Sequence, residues 1–314
     1  MDLLSRRQLQ FTSHLMMIRP VRFGFNEQTA ESNAFQQKSP ALSSAEIQAR
    51  ALEEFDTFVK MLRDVSVTVT VFDDTPEPHT PDSIFPNNWI SLHRNGQIFI
   101  YPMLAPNRQA EIRSDIIQEM TALYANPEVV DFRKYAGPGQ YLEGTGSMIL
   151  DRAAKVVYAC ISPRTHPELL RKFCQKIQYR LVEFHAMDEH GQEIYHTNVL
   201  MGLGEGYAVI CLEAIPDESE RQNVITSLRA GGFEIIPLTF FQMNNFAGNL
   251  LQVVSQDGIP WGVLSRRAYD SLDELQKKTL QHYTRILVVP LDVVEVYGGG
   301  SVRCMMAEVF PEVK

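Results

Sequence analysis

The chain has 314 residues, 45% hydrophobic and 21% charged, with a net charge of −9. That composition supports a large globular core, and an acidic balance without a basic block argues against a nucleic-acid surface. No apolar run reaches the roughly 18 residues of a membrane span, and the start M-D-L-L-S-R-R-Q-L-Q lacks a signal peptide's apolar stretch. Four scattered cysteines (Cys160, Cys174, Cys211, Cys304) form no C-x-x-C pair, which points to a reducing, cytoplasmic setting without a disulfide framework or zinc site.

Residues 1–15 read as a short extension ahead of one domain over 16–314. The apolar run H-L-M-M-I-R-P-V (14–21) predicts a strand. A helical pattern follows over 43–64, opened by a capping box at Ser43 and Glu46, and then the strand 66–74. The order next repeats. Residues 83–104 read as a hairpin across Asn95-Gly96, followed by a helix over 107–124 and the strand E-V-V-D-F. Residues 144–161 form a second hairpin, before a helix near 166–178 and the strand R-L-V-E-F-H-A-M. The stretch 196–214 precedes a helix near 217–230 and F-E-I-I-P-L. The stretch 248–265 precedes a helix over 266–283 and R-I-L-V-V-P-L. A last strand, R-C-M-M-A-E-V-F (303–310), has no helix after it and can pair with the first unit. The pattern is ββαβ five times, in units of about 50–60 residues. It predicts an α+β ring of five blades, with an ordinary α/β sandwich as the alternative.

Polar residues gather where each unit's first strand begins. They are Phe85-Pro86-Asn87-Asn88-Trp89, Leu142-Glu143-Gly144-Thr145-Gly146-Ser147, Tyr195-His196-Thr197-Asn198, the run from Met243 through Asn245 to Asn249, and Gly298 to Cys304. In a closed ring these clusters meet at one end of the axis. Cys304 can serve there as a nucleophile, and His196 can move protons near neutral pH. Glu143 can bind a cationic nitrogen or relay a proton. The glycines before Cys304 let backbone approach a ligand, and Arg303 can lower the thiol pKa or clamp a carboxylate. Each residue also has a structural reading: a buried cysteine, a hydrogen-bonded histidine, an Asx turn at Asn87-Asn88. His185 and His190 lack a third ligand at metal-site spacing, so no metal is expected.

The ring pattern with G-G-G-S-V-R-C-M, H-T-N and E-G-T-G-S resembles the amidinotransferase/pentein superfamily. F-P-N-N-W and I-R-P-V-R-F-G-F-N are most similar to its arginine-deiminase-related, citrulline-utilisation hydrolase branch. The resemblance implies a hydrolase without metal or organic cofactor, acting on a small guanidino or ureido amino acid, with a homodimer as the family's pattern. Cys304 then attacks the central carbon, His196 protonates the leaving amine and activates water, and Glu143 holds substrate nitrogens. Asn88, Asn87, Asn198, Arg303 and Asn245 become candidate substrate contacts, with Arg303 and the loop around Asn33 placed at the α-carboxylate. Two departures matter: Asn88 and Asn198 stand where deiminases carry aspartates. Amides suit a neutral ureido group, which offers a carbonyl acceptor and N–H donors. The expectation is therefore citrulline hydrolysis to ornithine, carbon dioxide and ammonia. Arginine deiminase, arginine dihydrolase, amidinotransferase and a non-catalytic binding module of the same fold are the alternatives.

Overall fold

A computed structural model describes residues 10–39 and 41–310. Fifteen strands lie in five three-stranded sheets. The first blade holds β1 (His14–Arg19), α1 (Ser44–Asp64) and β2 (Thr68–Asp73). The second holds β3 (Ile90–Leu92), β4 (Gln97–Ile100), α2 (Ser114–Thr121) and β5 (Glu128–Asp131). The third holds β6 (Ile149–Asp151), β7 (Val156–Ile161), α3 (Pro167–Ile177) and β8 (Arg180–His185). The fourth holds β9 (Met201–Leu203), β10 (Tyr207–Ile210), α4 (Glu218–Ala230) and β11 (Glu234–Pro237). The fifth holds β12 (Leu251–Val254), β13 (Pro260–Ser265), α5 (Glu274–Tyr283) and β14 (Arg285–Val289). β15 (Ala307–Val309) returns to the first blade and pairs antiparallel with β1, Met16 opposite Ala307.

One rule governs every sheet. The short inner strand runs antiparallel to the middle strand, and the middle strand runs parallel to the outer one. A parallel pair cannot be joined by a tight turn, so each blade needs a crossover, and the helix supplies it. α1 shows why these segments are helical. Ser43 and Glu46 close the capping box, and Ile47, Ala51, Phe55, Phe58, Val59 and Leu62 bury one stripe. The inner strands β3, β6 and β9 are buried at every residue. Neighbouring inner strands pack on one another around the axis, β15 on β3, β6 on β9 and β9 on β12. The expected ring of ββαβ units is therefore the fold.

Four boundaries differ from the sequence reading. The fold begins before residue 16: Phe11 is buried, Thr12 Oγ1 donates to the Val309 carbonyl, and β1 starts at His14. Residues 1–9 of the expected extension lie outside the described residues. The helix expected over 107–124 is two pieces, Pro106–Gln109 and α2, because the chain between them turns Glu111 inward onto Arg108. The helix expected over 266–283 breaks at Leu272, where Asp273 caps a second helix with its own box to Gln276. The last strand is short, because Val302–Met305 forms a helical turn that carries Cys304. Among the described residues no helix is long and apolar enough to cross a membrane.

Candidate active site

Short turns precede the inner strands: Pro86–Asn88, Gly144–Ser147, Thr197–Leu200 and Val302–Met305. They pack against each other at one end of the axis. Side chains from different blades tie them together. Thr197 Oγ1 donates to the Ser147 carbonyl at 2.5 Å and accepts from the Cys160 N–H at 2.8 Å. A bridge between Leu142 and Thr165 brings Arg164 beside Glu143.

Glu143 is fully buried and completely engaged. Its Oε1 accepts the Leu104 N–H at 2.9 Å, and its Oε2 meets His196 Nε2 at 2.8 Å and Arg164 Nη1 at 3.5 Å. Burial alone raises this carboxyl's pKa, but the Arg164 charge and the His196 hydrogen bond outweigh it and hold it well below the usual carboxylate range. Burial also keeps His196 neutral, with its pKa lowered to about 4 although Glu143 works the other way. A carboxylate only accepts, so His196 carries its proton on Nε2 and leaves Nδ1 basic. Nδ1 faces Gly146, where an added Cβ would lie 2.8 Å from it.

The lowered His196 pKa has a consequence for stability. The unfolded imidazole titrates near 6.5, so between pH 6.5 and 4 the unfolded chain binds the extra proton. Its contribution is complete above pH 6.5 and is lost as pH falls towards 4, by about 3 kcal/mol. The depressed Glu143 pKa acts in the same direction at lower pH. The buried carboxyls of Glu54, Glu111 and Glu295, raised to about 7, 8 and 7, act in the opposite direction over the same range, so the His196 contribution is read as a difference between proteins. In denaturant unfolding from pH 7 to 4, the stability of wild type relative to His196→Gln is expected to fall with pH; a difference that does not change with pH would mean that His196 is not the titrating group.

Cys304 is buried, and its Sγ accepts two amide donors, Asn198 Nδ2 and Asn249 Nδ2, each at 3.4 Å. Asn249 Oδ1 in turn accepts the Arg303 N–H at 2.9 Å, which fixes that amide's orientation. Burial pushes the other three thiols up to about 12. The glycine run also serves packing within the protein. Gly299 sits at φ 62°, and a Cβ there would lie 2.6 Å from the Gln36 nitrogen. The glycines thus admit the first-blade loop, whose Asn33 Nδ2 donates to the Gly298 carbonyl at 3.3 Å. Tyr195 braces the same segment, its hydroxyl donating to the Gly299 carbonyl at 2.9 Å.

Glu143, His196, Asn87, Asn88, Asn198 and Cys304 are thus brought to one end of the axis. Both side-chain atoms of Asn87, Asn88 Nδ2 and Asn198 Oδ1 are buried without a hydrogen-bond partner. Arg303 does not join them: its guanidinium turns away to the Met306 carbonyl and Glu308, each at 2.9 Å. Its neighbour Cys304 lies on a helical turn, so the two side chains diverge. Asn245 is also displaced, since its amide is spent on Arg267 Nε and the Phe241 carbonyl. Three residues not singled out from the sequence do belong here: Asn249, Arg164 and Arg108. Arg164 is the cation that Arg303 is not, with Nη2 on Ser32 of the first-blade loop at 2.7 Å and Nε unpartnered. Among the described residues no group of three or more His, Cys, Asp or Glu could hold a metal ion.

A comparison with curated proteins finds no match. Solved structures do match. The N-terminal domain of ArgZ, described as an arginine dihydrolase from the ornithine-ammonia cycle in Cyanobacteria and solved as a Cys-to-Ser variant bound to substrate, aligns with TM-score 0.73 at 16% identity. That alignment covers 96% of this chain and 99% of that one. A variant of AgrE in complex with L-arginine aligns with TM-score 0.73 at 17% identity, over 96% of this chain and 40% of that one. A dimethylarginine dimethylaminohydrolase, a His-to-Gly variant in adduct with S-methyl-L-thiocitrulline, aligns with TM-score 0.62 at 18% identity, over 95% of this chain and 100% of that one. At these identities the alignments show a shared fold, the one expected from the sequence. Residues 19–311 match the family described as N,N dimethylarginine dimethylhydrolase, eukaryotic, and the chain belongs to that family of hydrolases.

Proposed function

We propose that the protein is a cysteine hydrolase that cleaves the ureido group of citrulline to ornithine, carbon dioxide and ammonia. The observation that carries this reading is the polarity of the buried amides. Asn87, Asn88 and Asn198 keep amide atoms that no protein group satisfies. Glu143, the carboxylate beside His196, is already matched by Arg164 and by two N–H donors. A neutral ureido group carries one carbonyl acceptor and several N–H donors, which an amide set can complete. A guanidinium brings a full charge and donors only, and calls for free carboxylates.

In this reading Cys304 Sγ adds to the ureido carbon and its proton passes to His196 Nδ1. The tetrahedral adduct expels ammonia, which takes that proton, and a thiocarbamate remains on sulfur. Water then adds to the same carbon with His196 as base. The C–S bond breaks, the thiol is reprotonated, and the released N-carboxyl product loses carbon dioxide to give ornithine. Splitting one substitution into two additions at one carbon is the gain from a covalent nucleophile. Glu143 orients His196, and the free Nε of Arg164 receives the substrate α-carboxylate.

The family match favours a second reading, hydrolysis of a guanidino group in arginine or its methylated form by the same residues. Taken through two rounds on arginine, that chemistry is a dihydrolase. The test is separate incubation with L-citrulline, L-arginine, N,N-dimethylarginine and agmatine, measuring ammonia and amino-acid products. Ornithine and one ammonia per citrulline is the expected result. Citrulline accumulating from arginine or dimethylarginine, without ornithine, would overturn the ureido reading.

A further inference from the structure

Asn88 is held in one orientation by a residue that takes no part in the steps described above. Its Oδ1 accepts from Arg108 Nη1 at 2.7 Å, with both side chains buried. Arg108 is itself held on several sides. Nε and Nη2 grip Glu111 at 2.8 and 3.0 Å, Nη2 also reaches the Phe85 carbonyl at 3.2 Å, and Asp82 lies 3.9 Å away. A guanidinium has five donors and no acceptor, so chemistry alone decides which end of the Asn88 amide faces it. Turning that amide over would set N–H against N–H in a buried site.

The other end of the amide is therefore fixed as a donor. Asn88 Nδ2 has no partner, and it borders the same Gly146 position as the His196 ring, 2.4 Å from a Cβ placed there. Asn198 is the complement: its Nδ2 is taken by Cys304 Sγ, and its Oδ1 is left as an unsatisfied acceptor. We infer that Arg108 is a positioning residue that determines specificity, by locking Asn88 with its N–H donors towards the reaction centre so that the site selects a substrate carrying an oxygen on the reacting carbon. An amide free to turn would serve a guanidino nitrogen with its oxygen as readily as a ureido oxygen with its nitrogen. The locked amide serves only the oxygen, and the same donor meets the oxyanion that forms when Cys304 adds.

This inference rests on the ureido reading for its biological sense, yet the two can fail separately. The measurement is the ratio of kcat/KM for L-citrulline over L-arginine. It is taken in the wild type, in Arg108→Met/Glu111→Met, and in both backgrounds with Asn88→Ala. Replacing the buried pair together avoids stranding Glu111 as an unpaired charge. Arg108→Gln/Glu111→Gln, whose neutral amides offer both a donor and an acceptor and so accept either orientation of Asn88, gives a second route if the first double variant folds poorly. Release of the lock is expected to move the ratio about tenfold towards arginine, the effect of one hydrogen bond gained or lost. With Asn88→Ala already present, the same substitutions are expected to leave the ratio unchanged, a cycle that a purely structural Arg108 would not produce. A ratio unmoved by the Arg108 variants overturns the lock, whichever substrate the wild type prefers. A wild type that prefers arginine, with a ratio still shifted further towards arginine, sinks the ureido reading and leaves the lock standing.

Discussion

Cys304→Ala is expected to remove turnover, with a loss of about 10⁴-fold or more in kcat, while substrate still binds. The sulfur is held by Asn198 and Asn249, and no other thiol can take its place. Cys160, Cys174 and Cys211 are buried and pushed up to about 12, so they remain protonated and inert. The substitution leaves Asn198 Nδ2 without its acceptor, while Asn249 Nδ2 keeps the Asn198 carbonyl at 3.0 Å, so a modest fall in stability, about 1–2 kcal/mol, accompanies it. Ammonia release and calorimetric binding to the same preparation check both halves. Turnover within tenfold of wild type would mean that the nucleophile lies elsewhere.

Glu143→Gln is expected to act on catalysis and stability together. The carboxylate accepts from Leu104 N–H on one oxygen and from His196 and Arg164 on the other. A glutamine cannot satisfy both sides: whichever way its amide turns, one donor meets a donor. The substitution also strands Arg164 as a buried cation, at a cost of about 3–5 kcal/mol. His196 loses the group that fixes its tautomer, and kcat is expected to fall by about 10³-fold, by analogy with other oriented histidines. Denaturant unfolding and steady-state kinetics separate the effects. Normal kcat in a destabilised protein would reduce Glu143 to a structural role.

The architecture was legible because each blade announces itself locally. Ser43 with Glu46, and Asn95 with Gly96, are signals of short range, and the order strand, helix, strand recurs without them. The site was half legible. Asn88, Asn198 and Cys304 drew notice through the polar clusters at the strand starts and through the family resemblance; in the structure they stand two or three positions ahead of an inner strand, before Ile90, Met201 and Ala307. Asn249, two positions before Leu251, obeys that spacing, whereas Asn245 is six positions away. Applied strictly, the same rule would have chosen between them. Arg303 misled because adjacency to Cys304 in the chain looks like adjacency in space. The alternation of R-C-M-M-A-E-V-F reads as a strand, and only the helical turn, with Cys304 N–H bonded to the Ser301 carbonyl at 3.0 Å, sends the two side chains apart. Arg108 and Arg164 carried no sequence signal, since their partners Asn88 and Glu143 lie 20 and 21 positions away in the chain, beyond any local motif.

The closing strand imposes an order of events on biosynthesis. Thr12 and Val309 are 297 positions apart, and β15 docks onto β1, a strand synthesised long before it. Cys304, the nucleophile proposed above, sits immediately ahead of that clasp, on a turn that also packs against Pro86–Asn88. Chain synthesised up to residue 301 therefore holds Glu143 and His196 but not Cys304, and in the proposed reading activity begins only when residues 302–309 have emerged and paired. Closure between sites so distant in the chain is entropically slow, so the final docking step is the natural candidate for the rate-limiting stage of maturation.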